Sequence, residues 1–336
     1  MSKTSAPIFS LALLHPRYWL TWVGFGLWIV VSQLPFTVLL LFGRGLGLCI
    51  YLFATRRRAI AARNLELCFP EKTATQRRRL VRAHFVALGI SIFETGMVWF
   101  GAGNKLQNKI HYQGLATLQQ SIKDNEGVLL IALHFTTLEL LGYGMNSVVD
   151  NIHMSYRPHN NPVYDWLQSR ARARHNPDSA VVAARDIREI VRALKGGRRI
   201  SFLPDQDYGR KHSIFVPFFN IPTATVVTLS RLARLSGARV VPLMSQRLPG
   251  NAGYRITIHA PWENFPSNDD YADAARVNRY VEQCIQQAPE QFLWTHRRFK
   301  TRPSPDEDLY QLPQSRAKAR RQQRKRRQRE KMSSTH

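Results

Sequence analysis

Acidic residues are scarce in this chain: 23 Asp and Glu stand against 48 Lys and Arg in 336 residues, a formal net charge of +25. That deficit directs the search for partners toward anions: nucleic acid, an acidic membrane surface, or phosphorylated and acidic substrates. Cysteine is scarce too. Cys49, Cys68 and Cys284 are odd in number and widely spaced. They offer neither a disulfide framework nor a zinc pattern, which suits a reducing compartment. The chain has no Gly-x-Ser-x-Gly elbow, no H-E-x-x-H and no cysteine–histidine cluster, which removes serine-elbow hydrolases and zinc hydrolases from consideration. No internal repeat is visible.

One stretch lacks charge altogether. Between Arg17 and Arg44 there is no Asp, Glu, Lys or Arg, and Tyr18 to Gly43 would span roughly 39 Å as one helix, enough to cross a hydrocarbon core of about 30 Å. Tyr18, Trp19 and Trp22 stand at its start, as an aromatic belt would place them. Ser32, Gln33 and Pro35 weaken its middle, where a kink or an interfacial stretch is expected. No small-residue cleavage site follows, which argues for a retained anchor over a signal peptide. Arg44, Arg56, Arg57, Arg58 and Arg63 come after the run against Lys3 and Arg17 before it, so the positive-inside bias places the bulk of the protein in the cytoplasm as a single-pass membrane protein. Leu46–Ala54 reads as a separate surface-embedded or packed helix.

The resulting division is an N-terminal segment (1–17), a transmembrane anchor (18–43), a globular domain (44–303) and a basic tail (304–336). Thr73-Ala74-Thr75-Gln76 fits a capping box opening a long helix to Trp99. Beyond it, strand-like runs at 110–112, 128–133, 152–155, 180–182, 200–203, 215–219, 240–244 and 255–259 alternate with helical segments at 162–174, 186–194, 223–235 and 271–287. Alternation of this kind predicts an α/β fold, a mostly parallel central sheet flanked by helices. In the tail, residues 315–331 carry ten Lys and Arg against one Glu. An electrostatic grip on anionic lipid is the simpler reading for that run beside a membrane anchor. A tethered nucleic-acid binder is the remote alternative, because no aromatic–basic motif accompanies the charge and no nucleic acid is expected.

The chemistry is expected around Gly127 to Leu140, GVLLIALHFTTLEL. Val128 onward reads as a short buried strand, and helix-compatible spacing begins near Phe135. His134 therefore falls where strand hands over to helix, the end of an open α/β sheet that carries sites. Positions five apart on a helix are about 140° out of phase, so His134 meets Glu139 only if it bends back over the first helical turn. A carboxylate there would fix the imidazole tautomer, as in a Ser-His-Asp triad.

HFTTLE (134–139) resembles the H-x4-(D/E) signature of glycerolipid-type acyltransferases. LLHPRYWLTW (13–22), RNLELCFPE (63–71), ETGMVWF (94–100), YRPHNNP (156–162), PDQDYG (204–209) and HRRFKTRP (296–303) make the likeness narrower: it is to the late acyltransferases of lipid A biosynthesis, of the (Kdo)2-lipid IVA lauroyltransferase type. The resemblance runs from about Leu11 to Pro303. It implies a glycerolipid-acyltransferase-like fold and direct transfer of an acyl chain from acyl carrier protein. The acceptor would be a hydroxyl on a lipid A precursor, with no cofactor, at the bacterial inner membrane. A related enzyme acting on another glycerolipid or glycolipid is the nearest alternative. His134 and Glu139 are the expected catalytic pair, and histidine suits proton removal from an alcohol at cytoplasmic pH.

Arg157, Arg170, Arg172 and Arg174 are candidates to meet the developing oxyanion. Helical phase leaves open which of the last three faces a pocket; the resemblance implies Arg172, with Arg157 second. Asp205 and Asp207, at a strand's end, could hold Mg²⁺ or simply shape the turn before Tyr208-Gly209. The resemblance implies that Asp205 positions substrate or the basic residues with no metal, with Asp207 as a secondary candidate.

Overall fold

The computed structural model describes residues 9–310 apart from 102–105, 124–125, 151, 157–158, 175–180, 184–186 and 305. Arg157 and the basic run of the tail lie outside the described residues.

Among the described residues nine strands form two sheets. The larger has seven, in the order β1 (Ile110–Gln113), β9 (Tyr254–Ile258), β8 (Arg239–Arg247), β2 (Val128–Ile131), β5 (Arg199–Phe202), β3 (Ile152–Tyr156) and β4 (Val181–Ala183). All neighbours run parallel except β8 and β9. The expected α/β architecture holds, as a mixed sheet. β2 sits centrally and is buried at all four positions, which is why it reads as an unbroken apolar run.

Helices cover both faces, and alternation along β2 divides two cores. Leu129, Ile131 and Leu133 pack with α3 (Thr55–Cys68), α8 (Ile187–Lys195), α9 (Thr228–Ser236) and α10 (Asp270–Gln287). Val128, Leu130 and Ala132 pack with α6 (Leu138–Asn146), α7 (Pro162–Ala173) and the end of α4 (Ala74–Phe100). The capping box at Thr73 and Gln76 is present and opens α4 as the sequence indicates. A short helix, α5 (Leu115–Lys123), precedes β2.

Two expectations need correction. Residues 221–226 form a strand, β7 (Ile221–Val226), antiparallel to β6 (Ser213–Phe218), where the sequence indicated the start of a helix. The β-branched residues Thr223, Thr225 and Val226 favour the hairpin, and the helix begins only at Thr228.

The second correction concerns 18–43, which is not one helix. α1 (Trp19–Val31) stops at a turn over Ser32–Leu34, and α2 (Phe36–Phe53) starts after Pro35. Proline suits a helix start and breaks a helix interior, so the expected kink is a full break. The piece expected as a separate helix at 46–54 is the continuation of α2. By length and composition alone, α2 and α4 are long and apolar enough to cross a membrane. They pack antiparallel: a Cβ on Gly47 would lie 2.4 Å from the Phe85 carbonyl, and one on Gly89 2.3 Å from the Gly47 nitrogen. No other residue fits that crossing.

Candidate active site

Parallel register assembles the central pair. Ile131 of β2 stands opposite Phe202 of β5, and the Ala132 amide donates to the Phe202 carbonyl at 3.0 Å. Three residues beyond each partner come His134 and Asp205. The side chains meet there: Asp205 Oδ1 is 2.7 Å from His134 Nδ1, and Asp205 Oδ2 accepts from the His134 amide at 2.7 Å. Asp205 is 1% exposed. Burial raises its carboxyl pKa, but the neighbouring imidazole and the hydrogen bonds from His134 outweigh that and hold it below the ordinary aspartate value. An ionised carboxylate only accepts, so Nδ1 carries a proton, and in the neutral ring Nε2 is the nitrogen with the lone pair. The His134 side chain keeps 20% of its surface exposed.

Glu139 does not orient this ring. It lies in the first turn of α6, and both its oxygens are engaged elsewhere. Arg172 Nε donates to Oε2 at 3.2 Å, Trp99 Nε1 donates to the same oxygen at 3.0 Å, and Arg172 Nη2 pairs with Oε1. Burial raises the Glu139 pKa, yet the Arg172 charge and the donors from Arg172 and Trp99 bring it below the usual value. The phase difference explains the correction: the imidazole turns sideways to the adjacent strand, while α6 carries Glu139 toward α4 and α7. The carboxylate on the histidine is Asp205.

Of Arg170 and Arg172 in α7 and Arg174 at its C-terminal cap, Arg172 is the one that pairs with Glu139. Arg170 stacks on Trp166 with its guanidinium 5.7 Å from the ring, and Arg174 reaches the Trp99 carbonyl at 3.3 Å. Asp207 is close in sequence to Asp205 but serves another purpose. Its Oδ2 accepts from the Thr301 amide at 2.6 Å, and its Oδ1 from the Thr301 hydroxyl at 2.9 Å and the Gly209 amide at 2.9 Å. The two carboxylates therefore face different partners.

The segment after α10 binds both site loops. Gln291 accepts from the Thr136 amide at 2.7 Å, the Leu293 amide donates to the His134 carbonyl at 2.9 Å, and Phe135 bridges Phe292. Five residues on, His296 Nε2 accepts from the Asp207 amide at 3.1 Å. Burial, then the nearby Arg298 charge, lower the His296 pKa to about 4, consistent with a neutral acceptor. Gln291 also pairs both ways with the backbone of Arg247, whose guanidinium clasps buried Glu94 of α4 at 2.5 Å. Trp99, His296 and Thr301 fall in stretches that the sequence marks (ETGMVWF and HRRFKTRP), but their contacts were not legible there. Nothing in the sequence signals Gln291.

Comparison with known proteins gives this geometry its context. The family model for the bacterial lipid A biosynthesis acyltransferase matches residues 6–301. The chain belongs to that family. It is an acyltransferase. It is 42% identical over 304 residues to the lipid A biosynthesis lauroyltransferase of Escherichia coli strain K12, covering 89% of this chain and 97% of that protein. It is 43% identical to the palmitoleoyltransferase of the same strain, covering 90% and 98%. To that strain's myristoyltransferase it is 29% identical over 319 residues, covering 91% and 96%. In this chain the His134–Asp205 pair leaves the imidazole Nε2 without a hydrogen-bond partner among the described residues. The fixed Glu139–Arg172 pair stands on the adjoining helices.

Proposed function

We propose that the enzyme transfers a lauroyl chain from acyl-acyl-carrier-protein to the hydroxyl of a 3-hydroxyacyl chain on (Kdo)2-lipid IVA, at the cytoplasmic side of the bacterial inner membrane. The observation that carries this reading is the His134–Asp205 pair at the carboxyl end of β2 and β5 in a chain of this family. His134 Nε2 takes the proton of the acceptor hydroxyl as its oxygen attacks the thioester carbonyl. Asp205 holds the ring and stabilises the imidazolium so formed. The tetrahedral intermediate then collapses: the carbon–sulfur bond breaks, the thiolate takes the proton from His134, and the ester remains. The first turn of α6, four residues past His134, presents the positive end of its dipole to the oxyanion.

Glu139 and Arg172 act at one remove, joining α6 to α7, and Asp207 anchors the C-terminal segment. The enzyme's net positive charge favours a phosphorylated acceptor and an acidic carrier protein, with attraction that weakens as salt rises. No cofactor is invoked. The near-equal identities to the two Escherichia coli relatives favour palmitoleoyl as the second reading.

Mass spectrometry of the product tests donor and acceptor together. Purified enzyme is given a mixed acyl-carrier-protein pool and the tetra-acylated precursor. A lauroyl addition is expected and a palmitoleoyl addition selects the second reading. Transfer to a lysophospholipid alone would sink the assignment of acceptor.

A further inference from the structure

The exposed large apolar side chains are concentrated on one part of the molecule. Leu20 (84% exposed), Val23, Leu27 and Val30 form an outward stripe along α1; Leu41, Phe42, Leu52 and Phe53 (83%) stand out from α2. The opposite face of α1, with Trp22, Phe25 and Trp28, packs on the globular core.

A crossing helix must leave the globular domain, and neither helix does. α1 has 13 residues, about 20 Å of helix against a hydrocarbon core of about 30 Å. It is fastened near its start by Asn161 donating to the Thr21 hydroxyl at 3.1 Å. Near its end it is fastened by Trp28 donating to the Ile92 carbonyl at 3.1 Å, and just beyond by Gln33 to the Phe100 carbonyl at 3.0 Å. α2 is long enough to cross but is held along its length. Phe36 meets the ring of Tyr254 in β9, Arg44 donates to Asn251 at 3.2 Å, and Tyr51 packs on Phe85. α4 is bound to the sheet through Glu94, which accepts from Arg247 and from Tyr254. A hydrocarbon core does not accept a sheet edge with its turns, so helices fixed to β8 and β9 stay at the level of the domain.

We propose that α1 and α2 attach the enzyme to a single leaflet without crossing the bilayer, with the stripe Leu20, Val23, Leu27 and Val30 immersed among the acyl chains. Arg17 before α1 and exposed Arg56 and Arg57 after α2 are placed to meet anionic headgroups. This rests on the reading of the enzyme as one that works on a membrane lipid, and it replaces the single-pass arrangement expected from residues 18–43.

The test has two arms on the full chain. In a Cys49→Ser background, Ser10→Cys and Leu34→Cys are exposed, in intact spheroplasts, to a maleimide that does not cross membranes. Neither is labelled from outside and both are labelled after lysis; outside labelling of either position overturns the proposal. In the second arm, vesicles of phosphatidylethanolamine and phosphatidylglycerol are floated with the protein. The triple variant Leu20→Asp/Val23→Asp/Leu27→Asp, melting at the wild-type temperature, loses about 100-fold or more in vesicle affinity. Wild-type-like flotation of that variant overturns the assignment of the stripe. A wild-type protein that ignores vesicles yet acylates a detergent-dispersed acceptor overturns the attachment and leaves the acyltransferase reading standing.

Discussion

Two carboxylates stand near the carboxyl end of β2, Asp205 fully buried and Glu139 half-buried, and they differ in what their partners leave free. Asp205 holds an imidazole by one nitrogen and leaves the other open, on a side chain that is still partly exposed. Glu139 is closed: Arg172 grips both oxygens and Trp99 adds a third donor. Both carboxyls are shifted downward despite burial, so a perturbed carboxylate alone does not mark the reacting group. Among the described residues His134 Nε2 has no hydrogen-bond partner, whereas both Glu139 oxygens have one. The closed pair is a fastening between helices.

The sharpest way to break this comparison is to remove the open nitrogen. His134→Ala is expected to lower kcat by about 10²–10⁴-fold with the melting temperature little changed, and Asp205→Asn by a similar factor through loss of the tautomer. Single-turnover kinetics on the folded variants check it, and a fully active Asp205→Asn would return the orienting role to Glu139.

Next comes the closed pair. Glu139→Gln leaves the half-buried Arg172 charge without its ionic partner, a loss of about 1–3 kcal/mol in stability, short of the cost of breaking a fully buried pair. The double variant Glu139→Gln/Arg172→Met regains much of it, because both charges are gone. Urea denaturation of the single and double variants gives the coupling; simple additivity would remove the fastening role.

Acid separates the supports of the two site loops. The folded His296 pKa is about 4, below the ordinary histidine value of about 6.5. Its neutral form is the native one, so the associated stability is present above about pH 6.5 and is lost as pH falls toward 4. His296→Gln keeps an acceptor for the Asp207 amide and cannot charge, so stability should fall less steeply over that window. The contribution of Asp205, whose pKa is lowered, is present above the ordinary aspartate value and is lost only as pH falls through its lower folded value. Thermal melts at stepped pH would show the two regions in turn.

The smallest effect belongs to Thr301→Val, which removes one hydroxyl donor to Asp207 and keeps the shape. About 1 kcal/mol of stability and a severalfold change in kcat are expected; a loss as large as that of Asp205→Asn would move Asp207 into the reacting group.

The α/β layering and most strands were legible because apolar runs and their breaks are local properties. Val128 to Ile131 could hardly be anything but a buried strand. His134 and Asp205 were each placed at a strand end from sequence. Their pairing was not legible, since it depends on β2 and β5 being neighbours in register while 71 residues apart in the chain. Residues 18–43 misled for the complementary reason: composition measures apolarity, and it does not distinguish lipid from a protein neighbour as the environment.

The amino-acid order by itself determined the family, the position of His134 at a strand's end and the presence of an apolar N-terminal region, because motif, residue type and hydrophobicity are written locally. The tertiary structure alone decided that Asp205 rather than Glu139 steers that imidazole, that Arg172 is spent on Glu139, and that α1 and α2 lie against the domain. Each of these depends on which distant segments pack together, and strand order and helix crossing fix that only once the chain has folded.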